Sequence, residues 1–314
     1  MDTNKREFMT GVASGVFAAM AGASTMPANA SAAQFADASG LNKSTNRANQ
    51  DSKVRGNDKK ILITGAGSGF GRNVALRLAS RGHDVIASVE LPSQVTSLRD
   101  AAKQQGVVLR VEKINILHER DREFASSLDV DILLNNAGTG EGGSVAEMPI
   151  DVIRSQFETN VFSSLDLTQK VVRRLIDNRR SGKIIFMSSV VGLFTPPFTG
   201  AYSASKHALE AIAESLHSEL KPYGIKVATI NPGPYLTGFN DRMMEAYKVW
   251  YRPQQNFIDH SKLAFPSDQF DPNTATDGIV QVVESDSGKF RTVLPANFVE
   301  ITKKFQASAW DRDL

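Results

Sequence analysis

The chain has 314 residues, 41% of them hydrophobic, and a formal net charge of +2. This length and composition suit one α/β domain around a single core, and the scattered basic residues indicate neither nucleic acid nor a membrane surface as a partner. The absence of cysteine excludes disulfides, thiol catalysis and cysteine-ligated metals. The five histidines form no ligand cluster, so we predict no metal site.

The N-terminal thirty residues have the parts of an export signal. A basic stretch precedes a mildly apolar segment, residues 11–23, and an Ala-x-Ala sequence at residues 28–30. The Lys-Arg-x-Phe core resembles a twin-arginine signal whose first arginine is replaced by lysine. We expect residues 1–30 to direct export to the periplasm, the alternative being a disordered tail on a cytoplasmic protein. Residues 31–58, rich in Ser, Ala, Asn and Lys, are typical of a flexible linker.

A predicted strand, a glycine-rich loop and a predicted helix follow the linker. The apolar run at residues 59–64 is rich in β-formers, the loop covers residues 65–71, and a helical pattern covers residues 73–80. Glycines in this context permit a tight turn and let the backbone approach a pyrophosphate at the positive end of a helix dipole. A glycine-rich turn can also be only a connection. The loop residues expected to contact a dinucleotide are Gly65, Ser68, Gly69, Phe70 and Gly71.

The end of the second predicted strand, residues 84–89, bears on the form of the dinucleotide. An acid there accepts hydrogen bonds from the ribose of NAD, whereas the 2′-phosphate of NADP requires Arg or Lys. Val89 ends the strand, Glu90 comes next, and the glycine loop contains no basic residue. Because Glu90 would repel a 2′-phosphate, NAD is the expected cofactor. NADP is the alternative, which Arg72 would favour.

Tyr202 and Lys206 lie at the start of an apolar-periodic run, residues 201–220, that predicts a helix. One turn separates them, so both side chains project from the same helix face. A phenol loses its proton near pH ~10, and a neighbouring ammonium is expected to lower that pKa and make Tyr202 usable as an acid or base. Ser189 lies thirteen residues before Tyr202, and Asn160 lies twenty-nine residues before Ser189. Alone, the Tyr–Lys spacing is more often a half-buried ring beside a solvated charge.

In this order and at these spacings, the motifs resemble those of the short-chain dehydrogenases/reductases. The resemblance extends from residue 59 to about residue 300 and rests on the glycine loop, the Asn-Asn-Ala-Gly sequence at residues 135–138, the polar set around Tyr202, and the Pro-Gly-x-x-x-Thr sequence at residues 232–237. It implies a single-domain Rossmann fold over residues 59–314, with a doubly wound parallel sheet of about seven strands flanked by helices. It also implies an NAD(P)-dependent oxidoreductase that transfers hydride between nicotinamide and a secondary alcohol or carbonyl.

The resemblance gives each polar residue a role. Tyr202 is the expected general acid/base, and Lys206 is expected to lower the pKa of its phenol and hold the nicotinamide-side ribose. Ser189, which the thirteen-residue interval favours over Ser188, would polarise the substrate oxygen. Asn160 would hold a water in a proton relay, although it can also be a polar residue facing a neighbour inside a helix. The further cofactor contacts expected, besides Tyr202 and Lys206, are Glu90, Asn115, Ile116, Asn136, Ala137, Gly138, Pro232, Gly233, Leu236 and Thr237.

Two of these positions have qualifications. Asn115 stands where the family commonly has an aspartate, but an amide can still donate to and accept from the edge of an adenine base. The family also uses the Asn-Asn-Ala-Gly sequence partly to brace the central sheet, so its residues are expected to have a structural role beside binding.

The substrate segment leaves two interpretations open. Residues 238–270 are rich in methionine and aromatic residues, which would either close over an apolar substrate as a lid or pack onto the core or a subunit neighbour. Residues 193–198 would form another wall. We expect a small apolar alcohol or ketone as substrate and, from the resemblance, a homodimer or homotetramer. The alternatives are a catalytically slow dinucleotide-binding sensor or structural protein, and an NAD-dependent epimerase or dehydratase.

Overall fold

The computed structural model of the protein describes residues 59–261, 263–265 and 268–313. The expected export signal at residues 1–30 and the expected linker at residues 31–58 lie outside this part of the chain. None of the helices in the described part is both long and apolar enough to cross a membrane.

Seven parallel strands form one sheet within the described residues. Their spatial order is β3-β2-β1-β4-β5-β6-β7, so the chain starts in the middle of the sheet, winds to one edge and then winds to the other. This is the doubly wound Rossmann arrangement, and it confirms the predicted fold class. The strands are β1 (Lys60–Ile63), β2 (Asp84–Val89), β3 (Arg110–Lys113), β4 (Ile132–Asn135), β5 (Gly182–Met187), β6 (Ile225–Pro232) and β7 (Arg291–Leu294).

Helices cover both faces of the sheet. Successive side chains of a strand point to opposite faces, and in β1 Ile61 and Ile63 join one buried cluster while Leu62 joins the other. The described helices are α1 (Gly69–Ser80), α2 (Pro92–Gln104), α3 (Glu119–Ser127), α4 (Ile150–Phe157), α5 (Ser163–Asp177), α6 (Gly200–Glu219), α7 (Phe239–Glu245), α8 (Asn273–Glu284) and α9 (Phe298–Ser308). Helices α1, α2 and α8 supply the first cluster, and α3, α5 and α6 supply the second.

The point at which the sheet changes winding direction places the predicted motifs together. Strands β1 and β4 are paired neighbours, and the chain leaves them toward opposite edges of the sheet. In such sheets ligands bind beyond the carboxyl ends of the strands at this point. The glycine loop follows β1, the Asn-Asn-Ala-Gly sequence follows β4, Ser189 follows β5 and the Pro-Gly sequence ends β6, so all four meet at one edge.

Candidate active site

The glycine loop forms a cradle between β1 and α1. Gly65 and Gly69 have φ angles of +66° and +54°, which favour glycine. A Cβ on Gly65 would lie 2.7 Å from the Cα of Ala137, and a Cβ on Gly69 would face the Cβ of Thr237 at 3.5 Å. The glycine loop therefore faces Thr237, and a side chain on Gly69 would touch the Thr237 side chain.

Gly71 has a packing role rather than a lining role. It is buried at the first turn of α1, where a Cβ would lie 2.4 Å from Nδ2 of Asn136 and 2.6 Å from the carbonyl oxygen of Gly65. It does not line the cavity, in contrast to the expectation of a cofactor contact. Only a glycine lets the helix approach the loop and β4 this closely.

Asn136 and Thr64 fasten the cradle to the strand beside it. The Asn136 side chain donates hydrogen bonds to the carbonyl oxygens of Thr64 at 2.9 Å and Gly65 at 3.1 Å. In return, Oγ1 of Thr64 accepts from the backbone N–H groups of Asn136 and Ala137, both at 3.0 Å. The expected bracing role of this sequence is thus visible. Thr64 was missed in the sequence because one threonine at a strand end has no distinguishing pattern.

One cavity connects the cradle to the catalytic residues. Leu236 does not line it: this side chain is 62% exposed, and its backbone N–H donates to the carbonyl oxygen of Phe270 at 2.8 Å. The expected cofactor contacts that do line the cavity are Gly65, Ser68, Gly69, Phe70, Glu90, Asn115, Ile116, Asn136, Ala137, Gly138, Tyr202, Lys206, Pro232, Gly233 and Thr237.

The outer end of the cavity carries the acid expected to bind the ribose. Glu90 is exposed, and Nδ2 of Asn115 donates to its carboxylate at 3.5 Å. The side-chain oxygen of Gln94 accepts from the backbone N–H groups of Glu90 at 3.1 Å and Leu91 at 2.9 Å. Gln94 also touches the glycine loop, since a Cβ on Gly67 would lie 2.6 Å from its amide nitrogen. Gln94 was not predicted; it couples the end of β2 to the cradle.

The inner end of the cavity brings together three of the four residues expected to be catalytic. Tyr202, in the first turn of α6, is 7% exposed, and its hydroxyl hydrogen-bonds with the Ser189 side chain. Lys206 is buried, donates to the carbonyl oxygen of Met187 at 2.8 Å, and lies 5.6 Å from the centre of the Tyr202 ring. Ser188 also lines the cavity, but its buried hydroxyl has no hydrogen-bond partner among the described residues. Ser189 is therefore the serine next to the phenol.

Burial shifts the pKa values of the Tyr–Lys pair in opposite directions. Desolvation raises the pKa of the Tyr202 phenol, and the hydrogen bond with Ser189 offsets part of that rise. Desolvation lowers the pKa of Lys206 to about 8. The negative charge of the Glu210 carboxylate has the opposite effect on this pKa, but it is smaller than that of desolvation. The net shift of the Tyr202 pKa is therefore upward, because loss of water dominates, and the Lys206 ammonium donates to the Met187 carbonyl oxygen. The expected lowering of this pKa by Lys206 stays a prediction. Tyr202 is a neutral phenol at neutral pH.

Asn160 lies in a π-helical turn, Glu158–Phe162, between α4 and α5. Its side-chain oxygen accepts from the backbone N–H of Thr139 at 2.8 Å, and its nitrogen donates to the carbonyl oxygen of Thr139 at 2.9 Å and to Oγ of Ser205 at 3.0 Å. The residue thus ties the loop after β4 to α6. Single π-helical turns often occur at functional sites. The water-holding role of Asn160 stays a prediction.

The segment after Thr237 packs directly on the catalytic corner. Met243 and Met244 are buried in a cluster with Tyr202, and the rings of Tyr202 and Phe239 lie 5.4 Å apart. Phe257, in contrast, is 69% exposed. The methionines of α7 therefore match the packing interpretation, while Phe239 also lines the cavity and can contact a bound substrate.

A buried histidine fastens the rest of this segment to the loop after β4. Nε2 of His260 accepts from the backbone N–H of Ser144 at 2.9 Å, and Nδ1 donates to the carbonyl oxygen of Ile258 at 2.8 Å. Its ring lies within 4.7–5.6 Å, centre to centre, of Phe198, Tyr247, Trp250 and Tyr251. His260 was not singled out in the sequence, because its partners are distant residues.

Arg242 is the other site residue that the sequence did not predict. Among the described residues, the charged side chains lining the cavity are Glu90, Lys206 and Arg242. Nη1 of Arg242 lies 2.8 Å from the position of a Cβ on Gly238, next to Thr237 and the glycine loop. No ion pair to its guanidinium occurs in the described part of the chain. The signal available in the sequence was a basic residue five positions after Thr237.

The arrangement suits an organic cofactor. The described residues contain no group of three or more His, Cys, Asp or Glu side chains that could hold a metal ion. The cavity has a glycine cradle at a helix N-terminus, and such a cradle can bind phosphates through backbone N–H groups. It also has a phenol beside an ammonium, and this pair can move a proton. Fold and site together define a dinucleotide-dependent oxidoreductase.

Comparison with known proteins identifies the family. The sequence profile of the short chain dehydrogenases matches residues 59–248, and the chain belongs to this family. As a member of this family, it is an oxidoreductase that acts on alcohol or carbonyl groups.

Three relatives illustrate the likeness. The uncharacterized oxidoreductase YusZ of Bacillus subtilis (strain 168) is 36% identical over 209 residues, which are 64% of this chain and 70% of YusZ. The NADPH-dependent 3-dehydrocapnine reductase of Ornithobacterium rhinotracheale is 34% identical over 191 residues, 56% of this chain and 65% of the reductase. A short chain dehydrogenase/reductase from Burkholderia phymatum, solved in complex with NAD, has a TM-score of 0.66 at 22% identity, over 81% of this chain and 95% of that one, and shows the shared fold.

Proposed function

We propose that the protein transfers hydride between a nicotinamide dinucleotide and a secondary alcohol or carbonyl, with Tyr202 as the general acid/base. The observation that carries the proposal is the buried Tyr202 hydroxyl, which hydrogen-bonds with Ser189 at the inner end of the cavity that begins at the glycine loop. A phenol in this place can reach the oxygen of a substrate held in the same cavity.

The protein side chains handle the proton. In carbonyl reduction the Tyr202 hydroxyl donates its proton to the carbonyl oxygen as negative charge develops there, and the Ser189 hydroxyl donates a hydrogen bond to the same oxygen. In alcohol oxidation the tyrosinate accepts the hydroxyl proton. Lys206, one helical turn away, stabilises the tyrosinate through its positive charge. The nicotinamide ring supplies the hydride or accepts it.

The residues present fit the dinucleotide. Gly69 starts α1, whose N-terminal backbone N–H groups can bind a pyrophosphate, and Arg242 supplies a positive charge to the same cavity. Glu90, at the end of β2, is the group for the adenosine ribose. The relatives include an NADPH-dependent reductase and a structure with NAD, so the family uses both forms. The negative charge of Glu90 favours NAD in this chain.

The substrate we propose is apolar. The wall next to Tyr202 consists of Phe239, with Met243 and Met244 packed behind it, and such side chains bind hydrocarbon better than polar groups. The Ornithobacterium relative is named a reductase, which makes reduction the first direction to test. The intact and close Tyr–Lys pair argues against the sensor. Net consumption of NAD or NADH during turnover distinguishes the proposed function from an epimerase or dehydratase.

Cofactor titration tests the proposal. Fluorescence quenching of the purified full chain by NADH and, separately, by NADPH gives the two dissociation constants, after which apolar ketones are screened with the tighter cofactor. Tighter binding of NADH is expected. Tighter binding of NADPH would overturn Glu90 as the ribose-binding residue, and absence of both binding and net cofactor consumption would overturn the proposed function.

A further inference from the structure

A second buried charge lies one helical turn beyond Lys206. Glu210 is 5% exposed and stands four residues after Lys206 on α6. Side chains four residues apart on a helix are neighbours, about 5–6 Å apart at their Cβ atoms. Carboxylates are rarely fully buried unless they are paired, so the surroundings of Glu210 require an explanation.

The partners of Glu210 come from two strands. Nδ2 of Asn231 donates to one carboxylate oxygen at 2.6 Å. The other oxygen accepts from Nε and Nη2 of Arg291 at 3.0 and 2.7 Å and from the hydroxyl of Thr229 at 3.4 Å. The carboxylate is thus paired with a guanidinium and accepts from two further polar side chains. Arg291 begins β7 and is 34% exposed at its side chain, so its own charge is partly screened by water.

The other groups around Lys206 carry no formal charge at neutral pH. Tyr202 lies on the same helix, and the Met187 carbonyl comes from β5. Asn160, from the π-helical turn, approaches across Gly138, where a Cβ would lie 3.1 Å from Oδ1 of Asn160 and 3.6 Å from Nζ of Lys206. Glu210, one helical turn from Lys206, is thus the carboxylate beside it, and little water is present to screen the two buried groups from each other.

We propose that Glu210 is a positioning residue whose charge keeps Lys206 protonated in the buried site, and that Arg291 limits how strongly it does so. This inference rests on the proposed function of Lys206. Arg291 and Glu210 together also hold β6 and β7 against α6. If Glu210 and Arg291 only held the strands against α6, removing the charge of Glu210 would leave the protonation of Lys206 unchanged. If Glu210 acts electrostatically, the same change would lower the proton affinity of Lys206.

The experiment follows the protonation of Lys206 directly. The full chain is labelled with ¹³Cε-lysine, the Lys206 signal is identified by its loss in Lys206→Gln, and its chemical shift is recorded from pH 6 to 11. We expect Glu210→Gln to lower the titration midpoint by about one pH unit, a tenfold loss in proton affinity. Arg291→Met should raise the midpoint, because the carboxylate then lacks its counter-charge. If Arg291→Met does not fold, Arg291→Lys is measured in its place. Because lysine keeps the positive charge beside Glu210, the Lys206 midpoint in Arg291→Lys should stay near that of the parent protein.

The opposite signs of the two shifts separate charge from structural damage. Glu214→Gln, one further turn along α6 at an exposed position, is the matched control and should leave the midpoint unchanged. A Glu210→Gln protein with native circular dichroism and an unmoved Lys206 midpoint would overturn the inference. Since the titration does not require turnover, a protein that neither binds nor consumes a dinucleotide would refute the proposed function and still test this electrostatic link.

Discussion

The two ends of the cavity differ in their contact with water. At the inner end, Tyr202, Lys206 and Ser189 are buried, and burial shifts the pKa values of the first two. At the outer end, Glu90 is exposed and Asn115 is half-buried. Charges interact strongly where water is excluded and weakly where it is present. The protein therefore places its proton chemistry where electrostatic effects are large and its recognition of the ribose where they are small.

The same difference appears in how each end is held. The inner end depends on side chains from α6, β5 and the π-helical turn, linked by hydrogen bonds such as those from Asn160 to Thr139 and Ser205. At the outer end the link is the half-buried Gln94 side chain, which accepts from the backbone N–H groups of Glu90 and Leu91. Substitutions should consequently have larger effects at the inner end.

The largest effect is expected from Tyr202→Phe. Removal of the hydroxyl eliminates the acid/base and should reduce kcat by roughly 10²–10⁴-fold, while the dissociation constant for the dinucleotide stays within a few-fold. Steady-state kinetics and fluorescence titration measure the two quantities. Tyr223→Phe, on an exposed turn, is the control. Full activity in Tyr202→Phe would remove the proposed acid/base.

The pH dependence should differ between the two reaction directions. Because burial raises the pKa of Tyr202, the tyrosinate needed for oxidation is scarce at neutral pH. The oxidation rate should therefore rise about tenfold per pH unit up to about pH 8, above which Lys206 loses the charge that stabilises the tyrosinate. Reduction needs the phenol, which persists, and the ammonium of Lys206, whose pKa is lowered to about 8; its rate should therefore fall above that pH. Initial rates from pH 6 to 10 in both directions test this. An oxidation optimum below pH 7 would contradict it.

A smaller effect is expected at Arg242, where residues 238–270 meet the glycine cradle. Arg242→Gln removes a positive charge beside the proposed pyrophosphate site and should weaken ADP-ribose and NADH binding about tenfold, with little change for AMP. Isothermal titration with the three ligands measures this. Arg252→Gln, exposed on the same segment, should have no effect. Equal weakening for AMP would place Arg242 elsewhere than at the pyrophosphate.

The smallest effect is expected at the outer end. Glu90→Arg should move the ratio of NADH to NADPH affinity toward NADPH by about fivefold, because exposed charge pairs contribute about 1 kcal/mol at most. The effect should shrink at high salt. Glu119→Arg, an exposed acid at the start of α3, controls for the change in net charge. An unchanged ratio would show that another group binds the ribose.

The alternation of strands and helices could be predicted because it is encoded locally. Residues 84–89 form β2 with the expected bounds, and the run at residues 201–220 forms α6 one residue earlier, at Gly200–Glu219. Helix α1 starts at Gly69 rather than residue 73, since its first turn is part of the glycine loop and has no apolar periodicity. The predicted homo-oligomer and the predicted export signal stay predictions.

The sequence by itself determined the residues whose function depends on short spacing: the glycines that permit the cradle, and Tyr202 with Lys206 one turn apart. Only the tertiary structure decided what surrounds them. Burial under α7 raises the pKa of Tyr202 where the sequence indicated a fall, and Arg291, from the last strand, meets Glu210 on α6. Desolvation and ion pairing depend on segments far apart in the chain, so no local pattern contains them.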